Sequence, residues 1–304
     1  MEKSPTDRGS FSSLRAVAIP ASFVVLWSTG FIGARLGLPY AEPLTFLTLR
    51  YGLAAGLLLL VSLAMRAPWP RRLSEVAHFA VAGLLVHGVY LGGVFVAISL
   101  GVEAGVSALI VGLQPLLTAA FAGILLAERV VGRQWLGLGL GLTGVAFVIS
   151  GKLGDSPASI MGTIACVVAL LGITAGTLYQ KRFCTEMDLR TGSVVQFVAA
   201  AIATAPFALW LEDRTVDWSG EFVFALLWLV LVLSLGAVSL LYVLIRRGAA
   251  SQVASLFFLV PPCTALIAWP LFGETLGSWS LIGMALTAVG VALATHSTRK
   301  LERS

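Results

Sequence analysis

The sequence predicts an all-α integral membrane protein of ten transmembrane helices, arranged as two inverted-topology five-helix repeats with both termini cytoplasmic. Three observations carry that prediction. Of 304 residues, 58% are hydrophobic and 12% charged, whereas a soluble domain carries about 25% charged residues. Apolar runs near twenty residues recur along the chain, each long enough to cross a hydrocarbon core of roughly 30 Å as a helix, and the period-2 alternation of a barrel is missing. Finally, a shift of 146 positions lays Glu103–Val148 on Ala249–Ala294 without a gap. Leu113, Pro115, Thr118, Leu125 and Glu128 fall on Leu259, Pro261, Thr264, Leu271 and Glu274; Gly137 and Gly144 fall on Gly283 and Gly290. So hydrophobic a chain aligns apolar residues by chance, but seldom Pro, Glu and Gly together.

Taken in order, the spans run over roughly 16–36, 43–65, 76–98, 104–126, 133–150, 159–180, 190–210, 222–245, 251–272 and 278–296. The polar start, Met1 to about Ser13, is expected to be unstructured, and the first run is too long for the apolar core of a cleaved signal peptide. Sixteen Lys and Arg fall on one side of this alternation, from Lys3 to Arg303, and three on the other, Arg35, Lys152 and Arg214. That bias puts the termini in the cytoplasm. A 146-residue offset contains five spans, an odd number, so residues 1–154 and 155–304 enter the membrane in opposite directions, as the repeats of secondary transporters do.

The net charge of +5 does not indicate a nucleic-acid partner, because the basic residues lie in short loops that set topology. Three scattered cysteines form neither a disulfide framework nor a metal site. No Walker A motif appears and no cofactor is expected. All fifteen carboxylates lie in tails, loops or helix ends, which disfavours carboxylate-based proton or sodium coupling. Glu128 and Glu274 are expected to cap the helices that follow them.

Few residues are left to carry chemistry. Arg50, about seven residues into the second span, either recognises a substrate carboxylate or phosphate or serves structure by snorkelling or capping carbonyls. His87, near the centre of the third span, is either a proton carrier or a neutral packing residue. Tyr90, one turn on, suits a cavity wall, and Trp27 lies at similar depth. Gln114 precedes Pro115, which with Pro261 and Pro262 predicts matching kinked helices framing a substrate site. Glycine pairs such as Gly33/Gly37 and Gly137/Gly141 have the spacing of close helix contacts, compatible with a moving bundle, a static one or a homodimer face.

Several of these residues also carry a likeness. Trp27-Ser28-Thr29-Gly30-Phe31, Pro43-x-x-Phe46-x-x-x-Arg50, and the Pro-to-Glu pattern before a Gly-rich helix resemble the EamA-type members of the drug/metabolite transporter superfamily. The resemblance covers essentially the whole chain. It implies a bacterial inner-membrane carrier, often an exporter of amino acids or other small metabolites, with a central cavity between its halves. The second half departs from the pattern at Ile173, opposite Trp27, and Gln196, opposite Arg50. The competing class is a polytopic membrane enzyme or sensor, for which neither a nucleophile–base pair nor an appended soluble domain is found.

Overall fold

Proline, extended backbone and short polar caps set where helices begin. In the computed structural model, which describes residues 5–125, 132–152, 157–237, 240, 256–274 and 277–301, α1 spans Pro5–Gly37. The polar start is therefore helical from Pro5 rather than unstructured, a proline being well suited to a first turn. Helix α2 (Pro43–Ala64) opens the same way after the extended residue Glu42. It is followed by α3 (Leu73–Ser99), α4a (Ala104–Val111) and α4b (Gln114–Leu125), α5 (Gly132–Lys152) and α6 (Pro157–Phe183). Helix α7 (Leu189–Leu211) starts behind Asp188 and α8 (Gly220–Ala237) behind Ser219. Each of those two side chains accepts a backbone N–H of the first turn, the usual N-cap chemistry. A 3-10 turn, Phe257–Leu259, leads into α9 (Val260–Phe272), which Gly273 ends at φ 67°. Helix α10 is Ser278–Leu301.

Six helical stretches among the described residues are long and apolar enough to cross a membrane: Ala18–Gly37, α2, α3, α6, α7 and α8. Four shorter apolar stretches, Ala104–Thr118, Trp135–Val148, Val260–Phe272 and Ser278–Gly290, lie in the remaining expected runs.

Among the described residues, three pairs of equivalent helices of the two sequence copies, α5/α10, α2/α7 and α4a–α4b/α9, lie side by side and antiparallel. Glycines let α5 and α10 meet backbone to backbone: a Cβ on Gly144 would lie 2.5 Å from the Gly283 carbonyl oxygen, and one on Gly290 2.5 Å from that of Gly137. Gly137 and Gly144 are the 146-offset equivalents of Gly283 and Gly290, so the two contacts exchange under an internal two-fold operation. The spacing noted at Gly137/Gly141 is thus consumed inside the chain. Helices α2 and α7 pair likewise, with Thr45 at Glu212, Thr48 at Thr204 (3.1 Å), and the Thr191 hydroxyl on the Pro68 carbonyl (2.8 Å). Helix α4a runs against α9 from Glu274 at Ala104 to Pro261 at Gly112.

The irregularities repeat too. Residues 84–91 of α3 and 228–237 of α8 are wound as π-helix, and the offset carries the first stretch onto 230–237. The break between α4a and α4b at Gly112–Leu113 corresponds to the 3-10 turn before α9. Around these features, Phe23, Phe46, Tyr51, Phe95 and Phe222 are fully buried in one core. Phe46 sits between Phe95 (5.3 Å) and Phe222 (5.0 Å).

Candidate functional site

The α2–α7 pair brings the first polar residues together. Arg50 of α2 is only 6% exposed, and its Nε has no hydrogen-bond partner among the described residues. Its charge acts on Tyr51, Tyr90 and His87, so three of the expected site residues, Arg50, His87 and Tyr90, share one neighbourhood. His87 lies in the π-wound part of α3, and π-turns are frequent at functional sites. The Tyr51 hydroxyl donates to the His87 carbonyl oxygen at 2.8 Å, fixing α3 against α2. The imidazole stacks on Phe197 of α7 at 4.3 Å and 24° with the Gln196 side chain nearby, and its Nδ1 is buried with no well-formed hydrogen bond among the described residues. Tyr51 and Phe197 are 146-offset equivalents, and their rings meet at 6.0 Å. Arg50 corresponds to Gln196, whose amide nitrogen instead reaches the Met187 sulfur at 3.5 Å.

Gln114 opens α4b and donates its amide NH2 to Thr118 (3.3 Å) and to Thr177 of α6 (3.1 Å). Gly176, next to Thr177, lies against Leu85 and Val86 of α3, so Gln114 stands at the depth of His87. Trp27 belongs elsewhere. It packs among Phe23 (5.4 Å) and Phe257 (5.1 Å, edge-on), and no described contact joins it to the Arg50 group. The prolines also behave differently from expectation. The helices do not bend through them; they stop just before and restart, leaving Pro115, Pro261 and Pro262 in the first turn of the resumed helix. A missing N–H costs nothing there. Pro261 and Pro262, with Gly112, line a largely apolar, partly open pocket of about 230 Å³ together with Leu109, Met284 and Thr287. Pro115 and the Arg50 group lie outside its lining.

One end of the bundle is stitched by carboxylates that each reach across from one sequence copy to the other. Glu212 accepts the N–H groups of Leu44 (2.8 Å) and Thr45 (2.7 Å) and the Thr45 hydroxyl. Glu42 returns the contact by accepting from the N–H of Asp213 (2.6 Å), and Glu221 takes the Tyr40 hydroxyl. That hydrogen bond raises the Tyr40 phenol above its ordinary pKa. Glu274, 8% exposed, accepts from the N–H of Ala104 (2.9 Å) and Gly105 (3.3 Å). It caps a helix N-terminus, where a carboxylate meets the positive dipole end, but that helix is α4a of the other copy rather than the one that follows. Glu128 lies outside the described residues.

The sequence alone singled out neither Tyr51, Phe197, Thr177 nor the cross-copy role of Glu274. The offset of 146 would have placed Phe197 opposite Tyr51; nothing in the sequence marks Thr177. Among the described residues no three His, Cys, Asp or Glu side chains group as metal ligands.

Antiparallel duplicated helices around a buried arginine whose Nε has no partner among the described residues are the features of a duplicated polytopic membrane protein. The model of the EamA-like transporter family matches twice, over residues 16–150 and 160–295. The chain belongs to that family and is a membrane transporter. It is 26% identical to the uncharacterized transporter YvbV of Bacillus subtilis (strain 168), covering 94% of this chain and 93% of the relative. It is 27% identical to the uncharacterized inner membrane transporter YedA of Escherichia coli (strain K12), with 87% and 86% covered. A probable amino-acid metabolite efflux pump of Salmonella typhimurium (strain LT2) is 25% identical, with 88% and 90% covered. A solved crystal structure shares the fold at a TM-score of 0.65 and 22% identity, over 95% of this chain and 99% of the other.

Proposed function

We propose that the protein is a secondary carrier that exports a small carboxylate-bearing metabolite, an amino acid in the first instance, by alternating access between its two repeats. The observation that carries this reading is the buried Arg50, whose Nε lacks a partner among the described residues, in the neighbourhood of His87 and Tyr90. An unpaired buried ion costs several kcal/mol. A substrate carboxylate would offset that cost through the two-pronged geometry a guanidinium favours. Arg50, His87, Tyr90 and Gln114 line the substrate path in this reading, and Trp27, packed on Phe23 and Phe257, stands apart from it.

All ten helices cross the membrane, residues 1–154 and 155–304 forming repeats of opposite orientation with both termini cytoplasmic. The antiparallel equivalents and the sixteen-to-three division of loop Lys and Arg support that topology. The Escherichia coli relative's name supports a bacterial inner membrane, and the Salmonella relative's name supports amino-acid efflux. A homodimer would have to use a face other than Gly137/Gly141, which α10 covers.

Uptake of a panel of labelled L-amino acids into proteoliposomes tests the proposal. The wild-type protein should carry at least one, and Arg50→Gln should lower its transport tenfold or more at unchanged reconstitution, the loss expected for a charged hydrogen bond. Equal transport by Arg50→Gln would make the arginine structural and overturn the reading. An imposed pH gradient that stimulates wild type but not His87→Gln would make the imidazole the proton carrier.

A further inference from the structure

We infer that Thr177 is a positioning residue that turns the Gln114 carbonyl toward the substrate path, and that the substrate therefore carries an N–H donor as well as its carboxylate. The inference deepens the reading of Arg50 and rests on it. It starts from a single proton. The Thr177 hydroxyl donates to the Ile173 carbonyl oxygen at 2.7 Å, the back-bond of a threonine inside a helix. A hydroxyl has one hydrogen, so toward Gln114, at 3.1 Å, Thr177 must accept. Gln114 must then present its NH2 to Thr177, and a flip of the amide would set two oxygens against each other without a proton. Thr118 takes the same NH2 at 3.3 Å. Both amide hydrogens are thus directed to threonines, and Oε1 has no partner among the described residues.

The second sequence copy provides the contrast. Gln114 corresponds to Val260, Thr177 to Phe31 and Thr118 to Thr264. Without a glutamine before it, Thr264 has a buried hydroxyl lacking a partner among the described residues. The threonine is common to both copies; the amide that satisfies it, and the threonine that aims that amide, occur once. A polar device present on only one side of a two-fold scaffold distinguishes the two ends of a bound molecule. With Arg50 taking the carboxylate, an open carbonyl at the depth of His87 suits the ammonium of an amino acid. A carbonyl acceptor gives nothing to the analogue that lacks this donor.

The test is competition in proteoliposomes of the full chain, using an L-amino acid the wild type carries and its des-amino carboxylate. Thr177→Val, which keeps shape and removes the acceptor, should weaken the amino acid about tenfold and leave the des-amino analogue's inhibition unchanged. Thr177→Ser should behave as wild type, and Gln114→Met should repeat the selective loss if Thr177→Val reconstitutes poorly. Equal losses for both ligands, or none, overturn the inference while leaving Arg50's role in place. Arg50→Gln run in parallel should weaken both ligands; if it spares both while Thr177→Val stays selective, the carboxylate reading fails and the amide device survives. A wild type that carries no amino acid overturns both.

Discussion

Asp188 holds the first turn of α7 in two ways. Its carboxylate accepts from the Arg190 N–H at 3.0 Å and pairs with the Arg190 guanidinium at 2.8 Å. That hydrogen-bonded guanidinium keeps the Asp188 carboxyl below its ordinary value of 3.8. A depressed folded value means the stabilisation is complete above the unfolded pKa and is lost as pH falls through the folded one. Asp188→Ala should therefore lower the unfolding free energy by about 1 kcal/mol near neutrality, with the difference vanishing in acid. Thermal unfolding in detergent followed by tryptophan fluorescence would check both; a difference that persists in acid would show that the carboxylate is not its source. At this scale the sequence was informative wherever a residue was anomalous for its surroundings. Arg50 and His87 stand out in lipid because charge and imidazole are rare there. Tyr51, Phe197 and Thr177 do not, since tyrosine, phenylalanine and threonine are ordinary in membrane helices and acquire a role only from what folding sets beside them.

The glycine crossing of α5 and α10 has no room for a side chain. Any Cβ at Gly144 would meet the Gly283 carbonyl oxygen and the Thr287 hydroxyl, both at 2.5 Å. Gly144→Ala should accordingly separate the helices and destabilise the protein by about 1–3 kcal/mol, the usual cost of overpacking. The same change at Gly139, where a Cβ meets nothing within 4 Å, should be close to neutral. Comparing the two variants' melting temperatures in detergent tests the contact, and equal shifts would refute it. The helical runs and the duplication were legible from hydropathy and the 146-residue offset; that α5 packs on α10 and α2 on α7 was not, because the offset relates positions without saying which faces meet. The π-turns of α3 and α8 were not, because a single extra residue in a turn leaves no periodic trace in an apolar sequence. The prolines predicted the position of each discontinuity but not its form, a stop and restart rather than a bend.

In the molecule as a whole, the four carboxylates Glu42, Glu212, Glu221 and Glu274 close one end between the repeats. If that end faces outward, opening must release them. In a cysteine-free background, Ala104→Cys, a fully buried position under Glu274, should react slowly with a membrane-impermeant maleimide. Adding Glu274→Ala should speed the reaction tenfold or more, the shift expected when a charged hydrogen bond no longer holds the closed form. An unchanged rate would mean that Glu274 ties down a helix end without restraining access. A consequence of a different kind follows from where the polar groups originate. Arg50, Tyr51, His87, Tyr90 and Gln114 all come from the first repeat, while their offset partners in the second are Gln196, Phe197, Leu233, Gly236 and Val260. On the proposed reading the first repeat supplies these groups and the second supplies Thr177. Grafting the first repeat of this chain onto the second repeat of a relative should therefore carry over its choice of cargo only where the relative keeps a hydroxyl at the Thr177 position, which transport assays of chimeras with Thr and with Val there would check.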